Sequence, residues 1–134
     1  MSLASDLPPW APKALSLLRI VAGLLFLEHG LQKLVGFPPG GHGVVVAMTL
    51  PWFAGIIETV CGALLTVGLL TRIAGFLASG EMAVAYWMAH APASPFPANN
   101  GGDAAILFCF VFLYFACAGA GPWSIDATRH RTAA

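Results

Sequence analysis

Arg19-Ile-Val-Ala-Gly23-Leu-Leu-Phe26-Leu-Glu28-His29-Gly30-Leu-Gln32-Lys33 decides how this chain is read, because it sets ionisable side chains inside an apolar run of helical length. Arg19, Gly23, Phe26, Gly30 and Lys33 recur at alternating spacings of four and three, so they share one helical face, with His29 at its margin. The glycines on that face let a neighbouring backbone approach closely, as small residues do between membrane helices. Glu28 points to the opposite side, with Gln32 near it, and belongs to no stripe. A lone ion at a bilayer centre costs roughly 2.5–3.5 kcal/mol on insertion scales, so such residues face a bundle interior and mark a packing device or a site.

The rest of the chain supplies the apolar setting. Of its 134 residues 58% are hydrophobic and 9% charged, with a mean hydropathy of +0.80. A soluble domain carries about a quarter of its residues charged, so lipid is the expected solvent and the bilayer the first partner. The length suits one domain with four spans of about 20 residues each. A formal net charge of zero leaves no basic field for nucleic acid. Cys61, Cys109 and Cys117 all lie in apolar runs and form neither C-x-x-C nor C-x-x-C-H, so they read as buried small hydrophobes. That spacing argues against a metal site or a covalently bound cofactor. His29 and His90, both in the outer half, are weak grounds for a haem.

Breakers divide the chain. Residues 1–13, rich in proline, read as an interfacial segment; a first helix follows over 14–35, stopped by Gly36-Phe37-Pro38-Pro39-Gly40-Gly41. A short apolar connection, 42–50, leads to a second helix from Pro51 to about Leu70, and Thr71-Arg72 links it to a third over 73–90. A proline-rich loop, 91–102, precedes a fourth helix over 103–118, which Asp103 is expected to cap. The membrane domain is thus 14–122, and 123–134 reads as a polar cytoplasmic tail. The first apolar run contains Arg19 and lacks a small-x-small cleavage pattern, so it is expected to be retained. Lys13, Arg72, Arg129 and Arg131 flank one side and only Lys33 the other. The predicted fold is therefore an all-α, four-helix transmembrane bundle with both termini cytoplasmic.

On the second helix Glu58, Gly62, Leu65, Leu69 and Arg72 repeat the stripe. At a rise of ~1.5 Å per residue, Glu58 lies about 10 Å and His29 about 6 Å in from the outer end, so they meet at similar depth. Glu81 comes near the midplane, within reach of Arg19, which predicts a structural ion pair between Arg19 and Glu81. Two readings stay open. In one, these charges only fix helix packing. In the other, His29, Lys33, Glu58 and Glu81 line a ligand-binding pocket in the outer half, with His29 and Glu58 as candidate proton-transfer groups. Three intramembrane carboxyls, Glu28, Glu58 and Glu81, face two cations, Arg19 and Lys33. A carboxyl that keeps its proton beside a histidine is suited to proton transfer.

These residues also resemble a known family. The stretch from Arg19 to Lys33, then Glu58-Thr-Val-Cys-Gly62 and Gly68-Leu-Leu-Thr-Arg72, look like the first half of DoxX-type membrane proteins. Asn100-Gly101-Gly102-Asp103 and Gly119-Ala-Gly121-Pro122-Trp123-Ser124-Ile125-Asp126 look like the second half. The likeness runs from about Leu15 to Asp126, with Asp103 where the family pattern has a glutamate. It implies a multi-pass protein of the bacterial inner membrane, connected with quinone-linked sulfur oxidation and with membrane oxidoreductases that handle thiol or oxidative stress. The expected role is an accessory subunit whose pocket takes a quinone, alongside a membrane or periplasmic oxidoreductase partner. A non-enzymatic scaffold or assembly factor, and a carrier of a small solute or lipid that would need a homo-oligomer, are the alternatives. The chain lacks the C-x-x-C of four-helix quinone-coupled thiol enzymes, so a partner would have to supply the electrons.

Overall fold

The computed structural model describes residues 10–41 and 43–132. Residues 1–9 of the expected interfacial segment, and His42, lie outside them. All regular elements among the described residues are helical: α1 (Trp10–Val35), α2 (Leu50–Val67), α3 (Thr71–Ala85), α4 (Pro97–Asn100), α5 (Asp103–Ala118) and α6 (Ile125–Thr132). A π turn, Tyr86–His90, and a 3-10 turn, Ala91–Ala93, extend α3. Two helices, α1 and α2, are long and apolar enough to cross a membrane.

Several boundaries differ from expectation for local reasons. Helix α1 is helical from Trp10 on among the described residues, ahead of the expected position 14, and takes Pro12 and Lys13 into the helix. There Lys13 Nζ sits 4.6 Å over the Trp10 ring. Helix α2 stops at Val67 because Gly68 adopts a left-handed conformation, φ 70°, and its N–H closes on the last turn. Leu69 and Arg72 therefore leave the α2 stripe. Arg72 opens α3 instead and donates to the Ala116 and Cys117 carbonyls at the end of α5. Gly102, not Asp103, occupies the N-cap of α5; Asp103 stands one residue inside, with no side-chain cap bond, where its charge favours the helix dipole. Asn100 organises the turn before it, accepting the Gly102 N–H at 2.8 Å and donating to the Ser94 carbonyl at 2.9 Å.

Helices α1 and α2 form an antiparallel hairpin held by backbone proximity. A Cβ at Gly30 would stand 2.5 Å from Thr59 N, one at Gly62 2.5 Å from Leu27 N, and one at Gly23 2.7 Å from Thr66 N. Helices α3 and α5 form the second hairpin, where Gly75 faces the Phe112 carbonyl and Ser79 Oγ donates to the Cys109 carbonyl at 2.8 Å. Between the hairpins lies a core of Phe26, Leu65, Ala78, Met82, Phe112 and Phe115. The Phe26 and Phe112 rings meet edge to face at 4.7 Å. Of the cysteines only Cys61 is fully buried; Cys117 is exposed.

The C-terminal segment is docked, not a free tail. Asp126 Oδ1 and Oδ2 accept the Leu70 and Thr71 N–H groups, each at 2.9 Å, and its own N–H donates to the Gly68 carbonyl. A carboxylate thus caps α3 from α6. Burial alone would raise the Asp126 carboxyl, but the Thr71 and Leu70 N–H groups, helped by Arg129, hold it below the ordinary carboxylate range. A folded-state value below the unfolded one stabilises the protein above the unfolded value, about 3.9, and is lost as pH falls through the folded one. Asp126→Ala is therefore expected to destabilise the protein by about 1 kcal/mol at pH 7. In thermal unfolding against pH, the gap from wild type should close below about pH 4. A gap that persists in acid would assign the loss to packing.

Candidate functional site

The two charged stripes meet at opposite ends of the first hairpin and do different things. Toward the chain termini, Arg19 is fully buried. Its Nε donates to the Ala120 carbonyl at 2.8 Å, and Nη1 to those of Leu65, at 2.5 Å, and Thr66, at 2.9 Å. Nη2 reaches the Trp123 carbonyl. The expected Arg19–Glu81 ion pair is therefore absent. The planar guanidinium fork finds matching acceptors in carbonyls freed by the end of α2 and the turn after α5. Gly68 makes room for it, since a Cβ there would come within 2.9 Å of Arg19 Cζ.

Toward the other end, Lys33 Nζ pairs with Glu58 Oε1 at 2.5 Å, the one ion pair among the described residues. Glu58 is 1% exposed, and its Oε2 has no hydrogen-bond partner among the described residues. Glu81, from α3, lies within Coulomb range of both Glu58 and Lys33, and its Oε2 is likewise buried without a partner. So Glu81 joins Lys33 and Glu58, not Arg19. His29 stands at the rim: it is exposed, its Nδ1 lies 2.7 Å from the Leu25 carbonyl, and its ring edge meets Phe108. A carbonyl only accepts, so Nδ1 carries the hydrogen and Nε2 is left free. Glu28 is exposed on the outer side of α1. His90 is committed elsewhere, to the Asn100 carbonyl at 3.0 Å.

Beside this cluster opens a cavity of about 900 Å³, bounded by α1, α2, α3 and residues near Val45. Among the described residues His29, Lys33, Cys61 and Glu81 are its ionisable lining; Phe53, Ile57 and Phe76 typify its apolar walls. Glu58 lies behind that lining and holds Lys33 in place. The π turn brings Met88 and Ala89 to the cavity, and such turns recur where a helix is reshaped for a site. Sequence periodicity gave no sign of this turn or of the cavity between α2 and α3.

Outside the core the surface is inverted relative to that of a soluble protein. Among the described residues thirty large apolar side chains are exposed, Leu17, Leu24, Phe76 and Phe110 among them, against eleven buried hydrophobic residues. A charged interior inside an apolar exterior defines a helical membrane protein.

The profile of the DoxX family matches residues 14–91. The chain is 41% identical to an uncharacterized protein of Haemophilus influenzae over 91% of this chain and 95% of that relative. It is 30% identical to an uncharacterized membrane protein of Mycobacterium tuberculosis over 86% of this chain and 80% of that relative. No solved structure matches it. This chain belongs to the DoxX family.

Proposed function

We propose that the protein is a four-span inner-membrane subunit whose cavity binds a quinone-like amphipathic molecule on behalf of a partner oxidoreductase. Helix α3 with its π turn covers residues 71–90, about 30 Å of rise, and α5 about 24 Å. Together with α1 and α2 they suit a hydrocarbon core of about 30 Å. Lys13, Arg72, Arg129 and Arg131 lie at the Arg19 end, which supports cytoplasmic termini and an outward-facing cavity.

The observation that carries the reading is the half-buried Glu81, whose Oε2 is buried with no partner among the described residues, at the lining of an apolar cavity beside the Lys33–Glu58 pair. A ring carbonyl of a bound quinone would accept from Lys33 Nζ, while Glu81 orients the head group and His29 Nε2 offers an exit for protons at the rim. The apolar walls would take the isoprenoid or alkyl body. Protein purified in mild detergent is expected to carry extractable quinone and to bind a short-chain quinone, with Lys33→Met weakening that binding about tenfold. Absence of bound quinone together with an unchanged Kd in Lys33→Met would sink the proposal. That outcome would favour the scaffold reading, for which the Arg19 carbonyl network is the supporting observation.

A further inference from the structure

Glu81 is the group that the lysine leaves over. Lys33 is matched to Glu58 at 2.5 Å, and among the described residues Glu81 forms no ion pair. Among the described residues the ionisable groups around it are His29 and Lys33 from α1, Glu58 and Cys61 from α2, and none from α5, which meets this level of the bundle with Phe108 and Phe112. Cys61 is buried. His29 is turned to the rim by its bond to Leu25. An uncompensated carboxylate against apolar walls is strongly disfavoured. With the cavity empty, or holding a neutral molecule, a proton on the carboxyl removes that cost.

We infer that the cavity also takes lipophilic monocations, in exchange for that proton. The inference rests on the reading of the cavity as a ligand site and adds a second ligand class to it. The exchange balances simply: the Glu81 O–H bond breaks, the proton leaves to water, and the carboxylate pairs with the incoming cation. No electrons move, and the charge inside the bundle is unchanged. The walls suit such a guest, because Phe53 and Phe76 offer aromatic faces to a dispersed positive charge and Met88 a polarisable one. The volume of about 900 Å³ lies at the upper end for small-molecule sites. Lys33 does not repel the guest fully, since its charge is spent on Glu58.

The probe is tetraphenylphosphonium, whose charge is permanent, titrated into detergent-solubilised wild-type protein by calorimetry in buffers of different ionisation enthalpy. The expected result is release of about one proton per cation bound, with affinity rising up to about tenfold per pH unit while Glu81 remains protonated. A neutral short-chain quinone should bind the same protein with no proton release. Glu81→Gln should lose cation binding at least tenfold together with the release, and Glu81→Asp should keep both. Cation binding without proton release, release that survives in Glu81→Gln, or failure of the cation to bind a protein that does bind the quinone would each overturn the inference. If neither ligand binds, the proposed function fails with it.

Discussion

Replacing Arg19 with alanine is expected to destabilise the protein by about 4 kcal/mol, the largest effect of any single side-chain truncation here. The arginine is fully buried and serves four carbonyls, those of Leu65, Thr66, Ala120 and Trp123. Each acceptor stranded away from water costs about 1–3 kcal/mol, and partial relaxation or water entry recovers some of that. In detergent the thermal midpoint should fall by roughly 10 °C or more. Arg19→Lys should recover only part of the loss, because an ammonium is a point donor and cannot span acceptors spread over two segments of chain. The control is Glu81→Gln. Were Arg19 paired with Glu81, the two substitutions would destabilise alike, whereas the observed bonding predicts that Glu81→Gln shifts the midpoint little.

The second large effect is expected at Gly62. A Cβ there would meet Leu27 N at 2.5 Å and Leu27 Cα at 2.7 Å, both backbone atoms that no rotamer change can move. Gly62→Val must therefore push α1 and α2 apart along the whole hairpin. The cost is about 3 kcal/mol by analogy with overpacked cores, and the Lys33–Glu58 pair would be stretched with it. Gly80, also helical, has open space where its Cβ would be. Gly80→Ala should instead stabilise α3 by about 0.5–1 kcal/mol. Equal losses at the two positions in thermal unfolding would show that close backbone approach does not hold the hairpin.

The parts of this fold legible in the sequence are those in which a side chain repeats. The face carrying Arg19, Gly23, Phe26 and Gly30 is buried as its period implies, and α5 spans the expected Asp103–Ala118. Depth counting placed His29 and Glu58 at one level because both helices rise by the same amount per residue, whereas the residue that pairs with Glu58 is Lys33, one turn further along α1. The partner of Arg19 was not legible, since every residue has a carbonyl and no residue type announces one left free. Nor was the docking of α6: Asp126 and Arg129 read as polar tail residues, and only the turn at Gly68 shows what Asp126 caps. The site residues assort by contact, not by the net count of charges, which is why Glu81 changes company.

The reach of Arg19 also has a meaning for biogenesis. Leu65 and Thr66 belong to the same hairpin as the arginine, but Ala120 and Trp123 are made about a hundred residues later. While the chain is being synthesised, the first hairpin can insert and close around its glycines with part of the guanidinium still unsatisfied. The final bonds can form only once the turn after α5 has been made. The buried arginine thus ties the first hairpin to the end of the second: a chain that stops before Ala120 leaves two of its four carbonyl contacts unmade.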